Sequence, residues 1–185
     1  MATLSVPLSA SAARSRGSIL YPVLFSSTAV VLGIIWDISW HRTIGRDTFW
    51  TPAHIAEYVG GLVAGLSCGW LVLRTSFSGD DAARATGVRF WKYFVAPTGA
   101  WVSIWGTFAM LTSAPFDDWW HNAYGLDVRI LSPPHVVLGV GITAIAFGAM
   151  LIALAEQNRH AERGEPGPSS VLYAYSAGLV LLFMT

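Results

Sequence analysis

Four of the five histidines in this 185-residue chain fall into two matched sets, each with an aspartate. The first stretch holds Asp37, Trp40, His41, Gly45 and Asp47, then Thr51-Pro52-Ala53-His54. The second holds Asp117, Trp120, His121, Gly125 and Asp127, then Ser132-Pro133-Pro134-His135. The first five residues of each set lie 80 positions from their counterparts, and one residue is inserted before the second Pro-x-His. This pattern reads as a parallel duplication of a helix–loop–helix unit. Two imidazoles and one carboxylate form a three-ligand metal site with open positions. Copper, zinc and iron all suit these donors, whereas calcium and magnesium do not suit so much imidazole. Cys68 is the only cysteine, which excludes an intrachain disulfide and any Cys-based zinc or iron–sulfur site.

The spacing also says which elements must position these groups. Asp37 and His41 are i and i+4 and share one helix face. Pro52 suits a first helical turn, and Thr51 before it is a good cap. A short loop then brings His54 back to face Asp37 and His41. Asp117, His121 and His135 repeat the arrangement. The bland alternative is that the Asp–His pairs only staple the helices together by hydrogen bonds. Glu57 follows His54 by three positions and shares its face; it is an additional ligand, a partner orienting His54, or a proton relay. Leu138 takes its place in the second set. Asp47 and Asp127 either hydrogen-bond a ligating imidazole or cap the loop turn. Arg46 can pair with Asp47 or Glu57. His160 is expected to be exposed in a charged loop. Most tryptophans read as an interfacial aromatic belt, with a substrate-lining role open to Trp40 and Trp120.

Those elements must be membrane helices. Only 12% of residues are charged and 54% are hydrophobic, with a net charge of zero. A soluble domain carries about 25% charged residues. The balance excludes disorder and gives no basic excess for nucleic acid. Uncharged runs at 19–36, 58–73, 93–116 and 136–155 supply four spans, and 171–185 begins a fifth. Fifteen residues reach about 22 Å of a roughly 30 Å core, so the last span is expected to be truncated. Arg14, Arg16, Arg74, Arg84, Arg89, Lys92, Arg159 and Arg163 fall on one side, and Arg42, Arg46 and Arg129 on the other. The N-terminus is therefore expected in the cytoplasm and the motifs on the periplasmic side of a bacterial inner membrane. The expected fold is an all-α polytopic integral membrane protein, a tandem repeat of two transmembrane helix hairpins plus a further span. Its parts are a cytoplasmic tail (1–18), a first hairpin with its motif (19–75), a cytoplasmic linker (76–89), a second hairpin (90–157), a cytoplasmic loop (158–170) and the start of a fifth span (171–185). Gly60, Gly61, Ala64, Gly65 and Gly69 suit close helix packing.

The first motif resembles a segment of the C subunit of the particulate methane monooxygenase and ammonia monooxygenase family. That segment looks like D-x-x-W-H-x-T-x-x-R-D-T-x-x-T-P-x-H-x-x-E-[FY]. Here it stands as Asp37, Trp40, His41, Thr43, Arg46, Asp47, Thr48, Thr51, Pro52, His54, Glu57 and Tyr58. The resemblance implies copper ligation by Asp37, His41 and His54. The family's second site resembles N-x3-H-x13-H, matched here by Asp117, His121 and His135, with Asp in place of Asn. An anion there should hold a divalent cation more tightly. The resemblance also implies A- and B-type partner subunits, with a homo-oligomer as the other arrangement.

Two functions from different classes follow. In one, the chain is the metal-binding subunit of a monooxygenase-like complex that oxidises a small apolar or amine substrate with dioxygen. In the other, it is a non-catalytic membrane protein that binds, handles or transports metal.

Overall fold

The computed structural model describes residues 10–45, 48–125, 131–164 and 169–184. It is mostly helical. The order is α1 (Ala10–Thr43), α2 (Pro52–Phe77), a short α3 (Asp81–Ala85), strands β1 (Val88–Phe90) and β2 (Phe94–Ala96), α4 (Thr98–Tyr124), α5 (Pro133–Arg163) and α6 (Ser169–Met184). Three segments are long and apolar enough to cross a membrane: Gly17–Thr43, Pro52–Phe77 and Pro133–Arg163. They mark a membrane-embedded, multi-pass protein.

The packing has the sidedness a bilayer demands. Along α2 the buried positions are small: Gly60, Gly61, Ala64 and Cys68. The exposed ones are large: Leu62, Leu66, Trp70 and Leu73. Lipid is as apolar as leucine, so helices associate by close backbone approach at small residues and leave bulk to the lipid. Antiparallel packing of α1 on α2 follows from two such contacts. A Cβ on Gly33 would sit 2.6 Å from Glu57 Cγ, and one on Gly60 would sit 2.7 Å from Val30 Cγ2. On Gly141, an added Cβ would lie 2.6 Å from the Met110 nitrogen and 2.8 Å from the Gly106 carbonyl, which sets α4 against α5. The central core joins α1, α2, β2, α4 and α5 around Leu20, Val23, Leu71, Ala96, Ala149 and Ile152.

Three local expectations are corrected. The uncharged run at 93–116 is not one helix: Phe94–Ala96 pairs antiparallel with Val88–Phe90, and α4 starts only at Thr98, after Pro97. Proline has no N–H to donate inside a helix and is tolerated only at its start. The turn between the strands puts Trp91 at φ 51°, the one positive-φ residue other than glycine among those described. Within the stretch 76–89, read as a linker, α2 runs on to Phe77 and α3 follows, with Asp80 accepting from the Ala83 N–H at 2.9 Å. The loop expected from 158 does not begin there. Instead α5 continues to Arg163 and stops at Gly164 in the left-handed region, φ 64°. Residue types such as Glu156, Gln157, Arg159 and Glu162 are good helix formers, and the left-handed glycine is what ends the run.

Candidate metal centre

Helix geometry alone places Asp37 and His41 on one face near the end of α1. Gly45 then leaves the helix at φ 98°, as its counterpart Gly125 leaves α4 at φ 89°. Only glycine reaches these conformations without strain, which explains the residue type shared by both motifs. In the first site the carboxylate is bracketed: His54 Nε2 lies 3.2 Å from Asp37 Oδ1, and His41 Nδ1 lies 3.5 Å from Oδ2. In the second, His135 Nε2 lies 3.6 Å from Asp117 Oδ1, and His121 Nε2 lies 3.3 Å from Oδ2. All six side chains are partly exposed, from 23% to 49%.

The loop orients His54. The Thr48 carbonyl accepts from the Thr51 N–H at 3.0 Å and the Thr51 hydroxyl at 2.8 Å, and it lies 3.0 Å from His54 Nδ1. A proton held on Nδ1 by that carbonyl turns the Nε2 lone pair toward Asp37 Oδ1. Two acceptors then face each other, and a cation or a proton between them relieves the repulsion. Asp37 Oδ1 is buried with no hydrogen-bond partner, and so is Asp117 Oδ1. Donors about 2.1 Å from one tetrahedral ion sit about 3.4 Å apart, close to the four contacts seen here. The donor set and the orphaned oxygens therefore fit a metal. The donors are not gathered on one point, however. Each aspartate meets its two imidazoles at separate oxygens, His41 Nδ1 also lies 2.9 Å from the Asp37 carbonyl, and no cluster of three or more donors that could hold a metal ion forms among the described residues.

Thr51 was expected to cap α2. Its hydroxyl instead closes the loop onto Thr48 and makes no cap hydrogen bond. Ser132 does cap α5, accepting from the His135 N–H at 3.4 Å. Glu57 is buried one turn deeper than His54, against Gly33 of α1. Arg46, Asp47 and Asp127 lie outside the described residues. His160 is half-buried near the end of α5 rather than exposed in a loop.

Two features of the sites escaped the residue pattern. The indole Nε1 atoms of Trp40 and Trp120 are both buried without an acceptor, in matched positions beside the two orphaned carboxylate oxygens. His135 Nδ1 is buried without a partner as well, so the second site lacks the carbonyl that orients His54. The shared Trp spacing was the only signal available for the indoles, and it did not reveal their burial.

No family model, curated protein or solved structure matches this chain.

Proposed function

We propose that this protein is a metal-binding membrane subunit of a monooxygenase-like complex, with copper as the ion and a small apolar or amine molecule as the substrate. The observation that carries this reading is the repeated orphan: in both helix pairs a buried aspartate oxygen without a hydrogen bond faces an imidazole Nε2. Such an oxygen is costly unless a cation compensates it. Asp37, His41 and His54 would hold one ion, and Asp117, His121 and His135 a second. A bound copper ion supplies one-electron chemistry toward dioxygen. The chain's own part is to offset the cation's charge with each aspartate, to present His54 Nε2 through the Thr48 carbonyl, and to keep an apolar surround that limits water. The matched motifs support a tandem duplication of two transmembrane hairpins. The distribution of Lys and Arg supports a cytoplasmic N-terminus, with the sites on the periplasmic side of a bacterial inner membrane. A- and B-type subunits, or further copies of the chain, would complete the assembly.

The test is elemental analysis with electron paramagnetic resonance on the complex purified from its native membrane, and on His54→Ala and His135→Ala variants. The expected result is up to two copper ions per chain and the loss of one in each variant. Unchanged copper in both variants overturns the proposal. The direct Asp–His contacts favour a second reading, in which the pairs only staple the helices. Under that reading a chelator leaves the thermal midpoint unchanged while His54→Ala lowers it.

A further inference from the structure

The β-hairpin before α4 is tied to the helices by its inner strand and leaves its outer strand bare. Ser76 of α2 accepts from the Val95 N–H at 2.8 Å, and the Trp101 indole donates to the Val88 carbonyl at 3.0 Å. These bonds fix the hairpin against the ends of α2 and α4. Even so, all three residues of β1 are exposed, and Trp91 at the turn is 78% exposed. From the hairpin an aromatic ladder climbs α4. Phe90 lies 5.2 Å from Trp101 and 5.7 Å from Trp105, and Trp105 lies 6.1 Å from Phe108, centroid to centroid. Trp101, Trp105 and Phe108 are spaced i, i+4, i+7, a single stripe about 10 Å long.

Two cations sit at the foot of this stripe. The Arg89 guanidinium donates to the Lys92 carbonyl at 3.3 Å, and Lys92 Nζ lies 5.8 Å from the Tyr93 ring centre. Among the described residues, no carboxylate lies within ion-pair distance of either. An exposed apolar stripe ending in two uncompensated cations is complementary to one kind of molecule: a long hydrocarbon chain ending in an anion. Aromatic rings of this kind settle at the headgroup level, and basic side chains there attract anionic lipid.

We propose that Arg89 and Lys92 bind the phosphate of an anionic phospholipid whose acyl chain lies along Phe90, Trp101, Trp105 and Phe108. The site requires only that the chain is membrane-embedded and is independent of the metal reading. It is tested on the full chain purified in detergent and stripped of lipid. Phosphatidylglycerol and phosphatidylcholine with the same acyl chains are titrated in, with bound lipid counted by native mass spectrometry. The expected result is one phosphatidylglycerol retained about tenfold more tightly than phosphatidylcholine, and no preference in an Arg89→Gln/Lys92→Gln variant. High salt should remove the preference from the unaltered chain, a check that needs no variant to fold. Equal binding of the two lipids, or a preference that survives both the double substitution and high salt, overturns the proposal. So does photo-crosslinking from position 92 in native membranes that captures a protein and no lipid.

Discussion

The α1–α2 and α4–α5 pairs carry the same donors in the same order, yet they are held together differently. In the first pair the glycines face side chains, Gly33 against Glu57 and Gly60 against Val30. In the second they face backbone: a Cβ on Gly106 would meet the Gly141 carbonyl at 2.7 Å and the Ile145 nitrogen at 2.8 Å. At the site the difference reverses. The loop carbonyl of Thr48 orients His54, whereas His135 lacks an Nδ1 partner and takes its position from the capped start of α5. The first pair thus spends its specific contacts on the imidazole and the second on the helix seam. Below the site, a buried carboxylate in the first pair gives way to Leu138 in the second, so only the first has an ionisable group at that depth.

The largest test of this contrast is metal affinity. His54→Ala should weaken the first site by more than about 100-fold, while His135→Ala should weaken the second by only about 10-fold, because His135 is not oriented in advance. Competition with a chelator of known affinity reads both, and equal losses would erase the distinction. Next in size is stability. Gly141→Ala should cost about 3 kcal/mol, since every atom its Cβ would meet belongs to backbone. Gly33→Ala should cost about 1 kcal/mol, because the Glu57 stem can turn aside. Thermal unfolding in detergent separates the two, and similar midpoints would show that the seams are alike. The smallest effects concern the loops. Thr51→Ala should lower first-site affinity about tenfold by loosening the carbonyl that holds His54. Ser132→Ala should instead cost about 1 kcal/mol of stability, the usual worth of a cap, and leave second-site affinity nearly unchanged.

How much of this was legible in the sequence depends on whether a feature is local. The Asp–His contacts were legible because i,i+4 spacing fixes Asp37 and His41 on a helix and Pro52 fixes where α2 begins. Glycines in α2 were also read as packing positions, and Gly60, Gly61 and Gly65 do meet neighbours, while Gly69 meets nothing within 4 Å. The seam of Gly99, Gly106, Gly141 and Gly148 was missed, because its meaning lies in which glycines face one another across two helices. The hairpin at Val88–Ala96 was missed for another reason: an apolar run of strand length looks the same as the first turns of a membrane helix, and only Pro97 hinted at the break. Burial of the Trp40 and Trp120 indole nitrogens was beyond reach, since it depends on tertiary packing.

The left-handed backbone at Trp91 separates foldability from surface chemistry. A bulky residue at φ 51° costs about 1–2 kcal/mol relative to glycine, the residue that this conformation favours. Trp91→Gly should therefore relax the turn while removing the most exposed ring of the hairpin. The position is one where improving the local fold and preserving what the fold displays pull in opposite directions. A library selected for stability alone would discard the tryptophan, whereas one selected for function in the membrane would keep it despite the strain.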